Sequence, residues 1–169
     1  MEKSNYLYHL KKRDLKGDTL HPLNVLKDKH PDIYAEEIKK YARGREDLTK
    51  KQVLPLGVSW SDVLHLSAVH PDKIKKALQD AGSKADLDLA HYEIDPKTLD
   101  PKDTIVYMND SDDVEQGNFV SYNPAELEKY SSLPQATKDH YTESLAKGER
   151  PYLHHRVPHI LYKGSIKIK

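Results

Sequence analysis

The sequence predicts an α+β fold in which a mixed or antiparallel sheet carries several peripheral helices. Short segments that alternate apolar and polar residues indicate strands, and segments with apolar residues at helical spacing indicate helices between them. The chain of 169 residues contains no internal repeat, no low-complexity segment and no linker-like stretch. Because this length suits one hydrophobic core, we expect residues 1–169 to form a single domain.

Composition limits the classes of function. Apolar residues make up 37% of the chain and charged residues 32%, which predicts a modest core and a strongly solvated surface. The 27 basic residues balance 27 acidic ones, so net charge gives no support for nucleic acid as a partner. The absence of cysteine excludes disulfides and thiol catalysis. No apolar segment matches a membrane span or a signal peptide, so we expect a soluble cytoplasmic protein without a membrane partner.

The first third of the chain predicts one strand and two helices. Residues 6–10 alternate in polarity and form the opening strand. After a turn at Gly17, residues 20–29 contain a short helix. A firmer helix begins at Pro31, which suits the first helical position, and Gly44 ends it.

The segment 53–69 is the least polar part of the chain. Its second half predicts a strand in which His65 and Ser67 share one face with Val63 and Val69. A helix is the competing interpretation of the same residues.

Two further helices have clear start and stop signals. The first covers residues 72–81, because Pro71 suits the first turn and Gly82 suits the position after the last turn. The second begins at Pro134 and ends before Gly148. Helices bounded in this way are expected to pack on the sheet.

The remaining strands are predicted from alternation and from the turns between them. Residues 87–94 and 104–108 form two strands, and a polar acidic loop follows over 109–117. Two strands close the chain, the first over 152–157 and the second over 160–168.

Ten histidines are the most unusual part of the composition, and a metal site is the first chemistry to consider. Their spacing argues against it. His65 and His70 are five residues apart and point in different directions in either a helix or a strand. Pro158 prevents the helix that would align His155 with His159. We expect no metal ion, and a histidine-ligated metallohydrolase is kept as a third functional alternative.

A serine triad is also disfavoured. Asp62, His65 and Ser67 are close in sequence, whereas such triads are assembled from separated segments. No Gly-x-Ser-x-Gly turn is present to expose a nucleophile, and no glycine-rich phosphate loop is present either. The common fingerprints of nucleotide binding are therefore missing.

Histidines that face inward from separate strands define the remaining candidate site. His9, His65 and His155 each share a predicted strand face with apolar residues. A histidine in such a position needs a hydrogen-bond partner, and a polar ligand can supply it. A structural histidine that is satisfied by the protein itself is the alternative for each of them.

Charged residues near the predicted strand ends complete this site. Glu149 follows the helix end at Gly148 and precedes a strand, so it can project over a cleft, although a solvated turn residue is the alternative. Arg43, Arg45 and Arg150 are candidate anion binders, because a guanidinium group forms forked hydrogen bonds.

Three short motifs follow one another along the chain. They are Tyr8-His9-Leu10, Ser67-Ala68-Val69-His70-Pro71, and Glu149 followed by Arg156-Val157-Pro158. Their order resembles that of ADP-ribosyltransferase-like proteins, particularly the toxin-type enzymes that modify nucleic acid with NAD. The resemblance implies that His9 holds NAD and that Glu149 is the catalytic carboxylate.

The leading hypothesis is therefore an ADP-ribosyltransferase-like enzyme, or a degenerate relative, that binds NAD or another nucleotide-like ligand and acts on a macromolecular acceptor. Glu149 is the expected catalytic residue, and the expected ligand-binding residues are His9, His65, Ser67, His155 and Arg45. The alternative from another class is a non-catalytic module, such as a phage or host factor, that binds a protein through its tyrosine-rich surface.

Overall fold

The computed structural model describes residues 5–11, 18–42 and 45–168, and over these ranges the chain is an α+β fold with small antiparallel sheets. The expected turn at Gly17, the expected helix stop at Gly44 and the candidate Arg43 lie outside the described residues. The strands in chain order are β1 (Leu7–Leu10), β2 (Thr19–Leu20), β3 (Gln52–Val53), β4 (Val58–Ser59), β5 (Val63–Leu66), β6 (His91–Ile94), β7 (Thr104–Tyr107), β8 (Phe119–Ser121), β9 (His159–Lys163) and β10 (Ile166–Lys167).

Four α-helices are present among the described residues, and none of them combines the length and apolar character that a membrane span needs. They are α1 (Leu23–Lys29), α2 (Pro31–Glu37), α3 (Pro71–Asp80) and α4 (Gln135–Ala146). Short 3-10 helices connect many of the strands, and they span Ile38–Tyr41, Glu46–Lys50, Leu54–Leu56, Trp60–Asp62, Pro96–Thr98, Pro101–Asp103, Val114–Gln116 and Pro124–Tyr130.

The largest sheet has the strand order β5-β9-β7-β8, and every neighbouring pair is antiparallel. Its two faces bury different clusters, because successive side chains of a strand point in opposite directions. Val106 and Ile160 belong to one cluster, whereas their neighbours Tyr107 and Leu161 belong to the other. All four side chains are at most 2% exposed. Consecutive apolar residues therefore lie on opposite faces of this sheet, and both faces are covered.

Strand β1 links this sheet to the rest of the fold. It pairs with β6 in antiparallel register, with Tyr8 opposite Glu93. Tyr8 also exchanges two main-chain hydrogen bonds with Ser67, just beyond the end of β5, at 2.8 and 3.1 Å. These bonds bring His9 of β1 close to His65 of β5.

The bounds of α3 and α4 confirm the two helices with clear start and stop signals. Pro71 is the first residue of α3, and the imidazole of His70 accepts a hydrogen bond from the main-chain nitrogen of Asp72. Gly148 follows α4 with φ of 70°, a left-handed conformation that glycine adopts at low energetic cost. Strand β5 confirms the strand interpretation of the segment after residue 62 and excludes the helix there.

The strand predicted over residues 152–157 is wrong. Residues 153–156 form turns, with main-chain hydrogen bonds from His155 to Tyr152 at 3.3 Å and from Val157 to His154 at 3.1 Å. Arg156 has φ of 62°, which an extended strand cannot contain. The strand predicted over 87–94 is also too long, because only its last four residues, His91–Ile94, are extended and paired.

Side chains of other elements explain why residues 153–157 do not join a sheet. Thr137 of α4 donates to the carbonyl oxygen of His155 at 2.6 Å, and Tyr141 of the same helix donates to that of Leu153. Asn109 donates to two further carbonyl oxygens of this segment, at 3.0 and 3.1 Å. Because the carbonyl groups are satisfied by side chains, the segment does not need a neighbouring strand.

Candidate functional site

A cavity of about 500 Å³ lies beside the junction of β1 and β5. Residues of β1, β2, α1, α2 and β5 line it, together with residues 151–154. Leucine, valine, proline and tyrosine side chains form much of its wall, and several polar groups interrupt that wall. Its histidines come from distant parts of the chain and are His9, His21, His30, His65, His154 and His159.

Three of the predicted ligand-binding residues meet at this cavity. His9, His65 and Ser67 all line it, because the hydrogen bonds between Tyr8 and Ser67 hold β1 against the end of β5. The Nδ1 atom of His9 lies 3.1 Å from the carbonyl oxygen of His65. The hydroxyl oxygen of Ser67 accepts a hydrogen bond from the main-chain nitrogen of Val69 at 3.0 Å, which fixes its position.

His65 is held by Trp60. Its Nε2 atom lies 3.2 Å from the carbonyl oxygen of Trp60, and the centroids of the two rings are 4.2 Å apart. Because a carbonyl oxygen only accepts, Nε2 carries the proton and Nδ1 is an acceptor in the neutral ring. Burial lowers the pKa of His65 well below its usual value, and the neighbouring His159 lowers it further. The ring is therefore neutral at physiological pH.

His154 and His159 line the same cavity, although the sequence did not single them out as ligand-binding residues. Burial lowers the pKa of His154 to about 4 and that of His159 to about 3. The ring centroids of the two histidines are 6.2 Å apart. The wall thus contains a group of neutral imidazoles that can donate or accept hydrogen bonds without adding charge.

His155 and Glu149 lie away from this group. His155 does not line the cavity, and its ring stacks on that of His140 with centroids 4.1 Å apart. Glu149 is exposed just after α4, where its main-chain nitrogen donates to Ser144 at 2.9 Å. The expectation that His155 faces inward fails because the segment around it is a turn, so strand alternation does not apply to it.

Arg45 does not line the cavity but packs against two residues that do. Its guanidinium carbon is 4.6 Å from the ring centroid of Tyr152 and 5.7 Å from that of Tyr41, and both tyrosines line the cavity. Lys40 lines the cavity, with its ammonium group 5.3 Å from the Tyr41 ring centroid. Both cations therefore lie against Tyr41, and this side of the cavity is called its cationic end. Arg150 is exposed in the turn after α4.

The carboxylates that line the cavity are those of Glu36 and Glu37, which sequence patterns did not single out. Both lie near the end of α2, and Glu37 is 3.4 Å from the ammonium group of Lys40. Glu36 and Glu37 lie in the second turn of a helix that begins at Pro31. Helical periodicity was therefore the one sequence signal that could have indicated these two carboxylates.

A second cluster of polar side chains combines two residues of β6 with the residue that precedes α3. His70, His91 and Glu93 each offer one ligand atom, and these atoms all lie within 4.8 Å of one another.

Asp62, His65 and Ser67 do not form the hydrogen bonds of a catalytic triad. The carboxylate of Asp62 accepts hydrogen bonds from Ser59 and Asn24, and the hydroxyl oxygen of Ser67 accepts one from the main-chain nitrogen of Val69.

Comparisons with protein-family models, with curated protein sequences and with solved structures found no match to this chain.

Proposed function

We propose that the cavity binds an aromatic nucleotide-like ligand such as NAD, in an ADP-ribosyltransferase-like enzyme or a degenerate relative that retains ligand binding. One observation carries this proposal: His9, His65 and Ser67, chosen from sequence as ligand-binding residues, line a single cavity of about 500 Å³. Cavities of roughly 300 to 1,000 Å³ with apolar walls and a few polar groups are typical small-molecule sites.

The neutral histidines suit the ring half of such a ligand. His65 and His159 carry no charge at physiological pH, so they can bind an uncharged amide or base edge without a counter-ion. The surrounding apolar side chains suit the faces of an aromatic ring, because contact between the ring and these side chains removes apolar area of both from water. Nicotinamide and adenine both have this combination of a flat ring and polar edge.

The cationic end suits the phosphate groups. Lys40 lines the cavity, and Arg45 packs on two tyrosines that also line it. Arginine and lysine are the side chains that bind phosphate most strongly. A diphosphate placed there would exchange the ion pair between Lys40 and Glu37 for its own contacts with Lys40.

ADP-ribosyl transfer breaks the bond between nicotinamide and ribose, and an acceptor oxygen or nitrogen then forms the new bond to the same carbon and loses its proton to a carboxylate or to water. Nicotinamide leaves with the bonding electrons, so a carboxylate near the ribose stabilises the positive charge that develops. Glu149 is the carboxylate that the resemblance implies, whereas Glu37 lines the cavity. Comparing Glu149→Gln with Glu37→Gln in a nicotinamide-release assay decides between the two.

Calorimetric titration with NAD, nicotinamide mononucleotide and adenosine tests the binding proposal. We expect binding of NAD, and we expect His159→Ala to weaken it about tenfold, which corresponds to about 1.4 kcal/mol. His155→Ala is the matched control, because it removes an imidazole that does not line the cavity. Absence of binding by all three ligands, or an equal effect of both substitutions, would contradict the proposal.

A further inference from the structure

The second polar cluster lies directly behind the cavity wall. Tyr8 lines the cavity, and its ring packs edge-on against the rings of His70 and His91, with centroid distances of 4.9 and 5.4 Å. The two imidazoles are 5.0 Å apart by the same measure. Glu93 is the antiparallel partner of Tyr8, so the four side chains form one compact group.

Strand β6 and helix α3 bring these ligands together. His91 and Glu93 are two residues apart on β6 and therefore point to the same face. His70 immediately precedes α3 and is anchored by the start of that helix. Because the three residues belong to regular elements or their caps, their spacing is held by the backbone and not by a long loop.

The hydrogen bond of His91 leaves its Nε2 atom available to bind a cation. Its Nδ1 atom lies 3.1 Å from the carbonyl oxygen of Leu89, which requires the proton on Nδ1 and a lone pair on Nε2. That Nε2 atom lies 3.9 Å from the carboxylate of Glu93. A backbone carbonyl that fixes the tautomer of a histidine is the usual outer partner of a metal-bound imidazole.

His70 needs a change of partner to bind through Nε2. Its Nδ1 atom now accepts from the main-chain nitrogen of Asp72 at 3.0 Å. The carboxylate of Asp72 lies 3.7 Å from the same Nδ1 atom. A cation at Nε2 requires the imidazole proton to move from Nε2 to Nδ1 and the bond from the Asp72 nitrogen to break. The Nδ1–H group can then donate a hydrogen bond to the Asp72 carboxylate, which gives a second carboxylate-histidine-metal arrangement.

We propose that His70, His91 and Glu93 form a site for a divalent cation of the zinc type, separate from the ligand cavity but in contact with its wall through Tyr8. Two imidazoles and one carboxylate are common zinc ligands, whereas magnesium and calcium prefer oxygen ligands alone. Zinc bonds of about 2.0 to 2.2 Å require the three ligand atoms to approach one another by roughly 1 Å. The side chain of Glu93 is 52% exposed and can make this movement.

The partial exposure of the cluster predicts that water completes the coordination of the cation. The imidazoles of His70 and His91 are partly exposed, at 34% and 19%, so water can reach the cation. Three protein ligands leave at least one position for water in a four-coordinate zinc site. Sequence spacing did not indicate this cluster, because it compared histidines that are near in sequence, whereas His70 and His91 come from a helix cap and a strand.

Titration of tag-free, chelator-treated protein with Zn²⁺, followed by calorimetry, tests the proposal. We expect one equivalent of Zn²⁺ to bind, and Co²⁺ in its place to give the visible absorption of a low-coordinate nitrogen and oxygen site. Glu93→Gln and His91→Ala should each weaken Zn²⁺ binding at least about tenfold, and Asp72→Asn, which changes an outer partner, should weaken it by roughly the same factor.

His140→Ala and Glu143→Gln are the matched controls, because they remove another close histidine and another exposed carboxylate without touching the cluster. Unchanged Zn²⁺ affinity in both controls is expected. The proposal is overturned if no equivalent binds when Zn²⁺ is in large excess, or if Glu93→Gln and His91→Ala leave the Zn²⁺ affinity unchanged. Circular dichroism confirms folding, and the exposed Glu93 variant decides the question if a histidine variant unfolds.

Discussion

The imidazole Nδ1 of His9 lies 3.1 Å from the main-chain carbonyl oxygen of His65, so two histidines that are 56 residues apart in sequence are joined at the cavity wall. Because the carbonyl oxygen only accepts, the proton of His9 is on Nδ1. One imidazole thereby holds β1 against β5 at the position where both strands present polar groups to the cavity.

Replacing His9 should loosen this connection. We expect His9→Ala to lower the free energy of unfolding by about 1 kcal/mol, since it leaves a partly buried carbonyl group without its donor. His9→Asn retains a side-chain donor and should recover part of the loss. Urea unfolding of the two variants measures both effects, and equal stability of His9→Ala and the parent protein would contradict the assignment.

Two histidines of the cavity wall predict a specific loss of stability in acid. His154 and His159 have pKa values of about 4 and about 3 in the folded protein, below the value of about 6.5 expected in the unfolded chain. Below pH 6.5 the unfolded chain therefore takes up protons that the folded protein does not, and stability falls as the pH falls. At pH 5 each ring should lower the free energy of unfolding by about 2 kcal/mol.

Urea unfolding between about pH 7.5 and about pH 5 measures this slope. His154→Gln and His159→Gln remove one titrating group each, so each variant should show a smaller loss of stability across the same range. His30→Gln is the comparison, because it removes another histidine that lines the cavity. A slope that is identical in the parent protein and in the His154→Gln and His159→Gln variants would argue against neutral rings in the folded protein.

Tyr141 should stabilise the turn that carries His154 to the cavity. Its side chain is fully buried, and its hydroxyl group donates to the carbonyl oxygen of Leu153. Tyr141→Phe keeps the ring but leaves that carbonyl group unsatisfied, so we expect a loss of about 1 to 2 kcal/mol in unfolding free energy. Tyr152→Phe, at an exposed position, should change stability much less. Thermal unfolding with matched buffers compares the two.

Lys40 should select for the phosphate groups of a ligand. Lys40→Gln removes one cation from the end of the cavity, so the affinity for NAD should fall roughly three- to tenfold, or about 0.7 to 1.4 kcal/mol. The affinity for nicotinamide riboside, which has no phosphate, should not change. Lys39→Gln controls for general surface charge, because Lys39 does not line the cavity. A parallel loss for both ligands would contradict a phosphate role for Lys40.

The helices α3 and α4 could be predicted from the sequence, because residues at their own ends mark where they begin and stop. Pro71 and Gly82 bound α3 and Gly148 follows α4, because these residues have backbone preferences that neighbours in sequence satisfy. Strands β7 and β9 also overlap segments that were predicted as strands. Their apolar residues contribute to two cores, since both faces of the sheet are covered.

The candidate site depended on contacts between distant residues. His9, His65 and Ser67 could be chosen as inward-facing residues, but the main-chain bonds between Tyr8 and Ser67 decided that they meet. His155 illustrates the reverse case. Alternation would place it inward, yet Thr137 binds its carbonyl group within a turn, and its ring stacks outside the cavity on His140.

Local patterns in the sequence predicted the α+β class, the approximate bounds of α3 and α4, and several polar residues on the inward faces of β1 and β5. Those features follow from backbone preferences and from alternation over a few residues. The positions of His154 and His159 at the cavity, and of His70 beside His91, could be seen only in the folded chain. Hydrogen bonds between distant elements, such as those made by Asn109 and Tyr141, help to set such positions, and no local pattern encodes these partners.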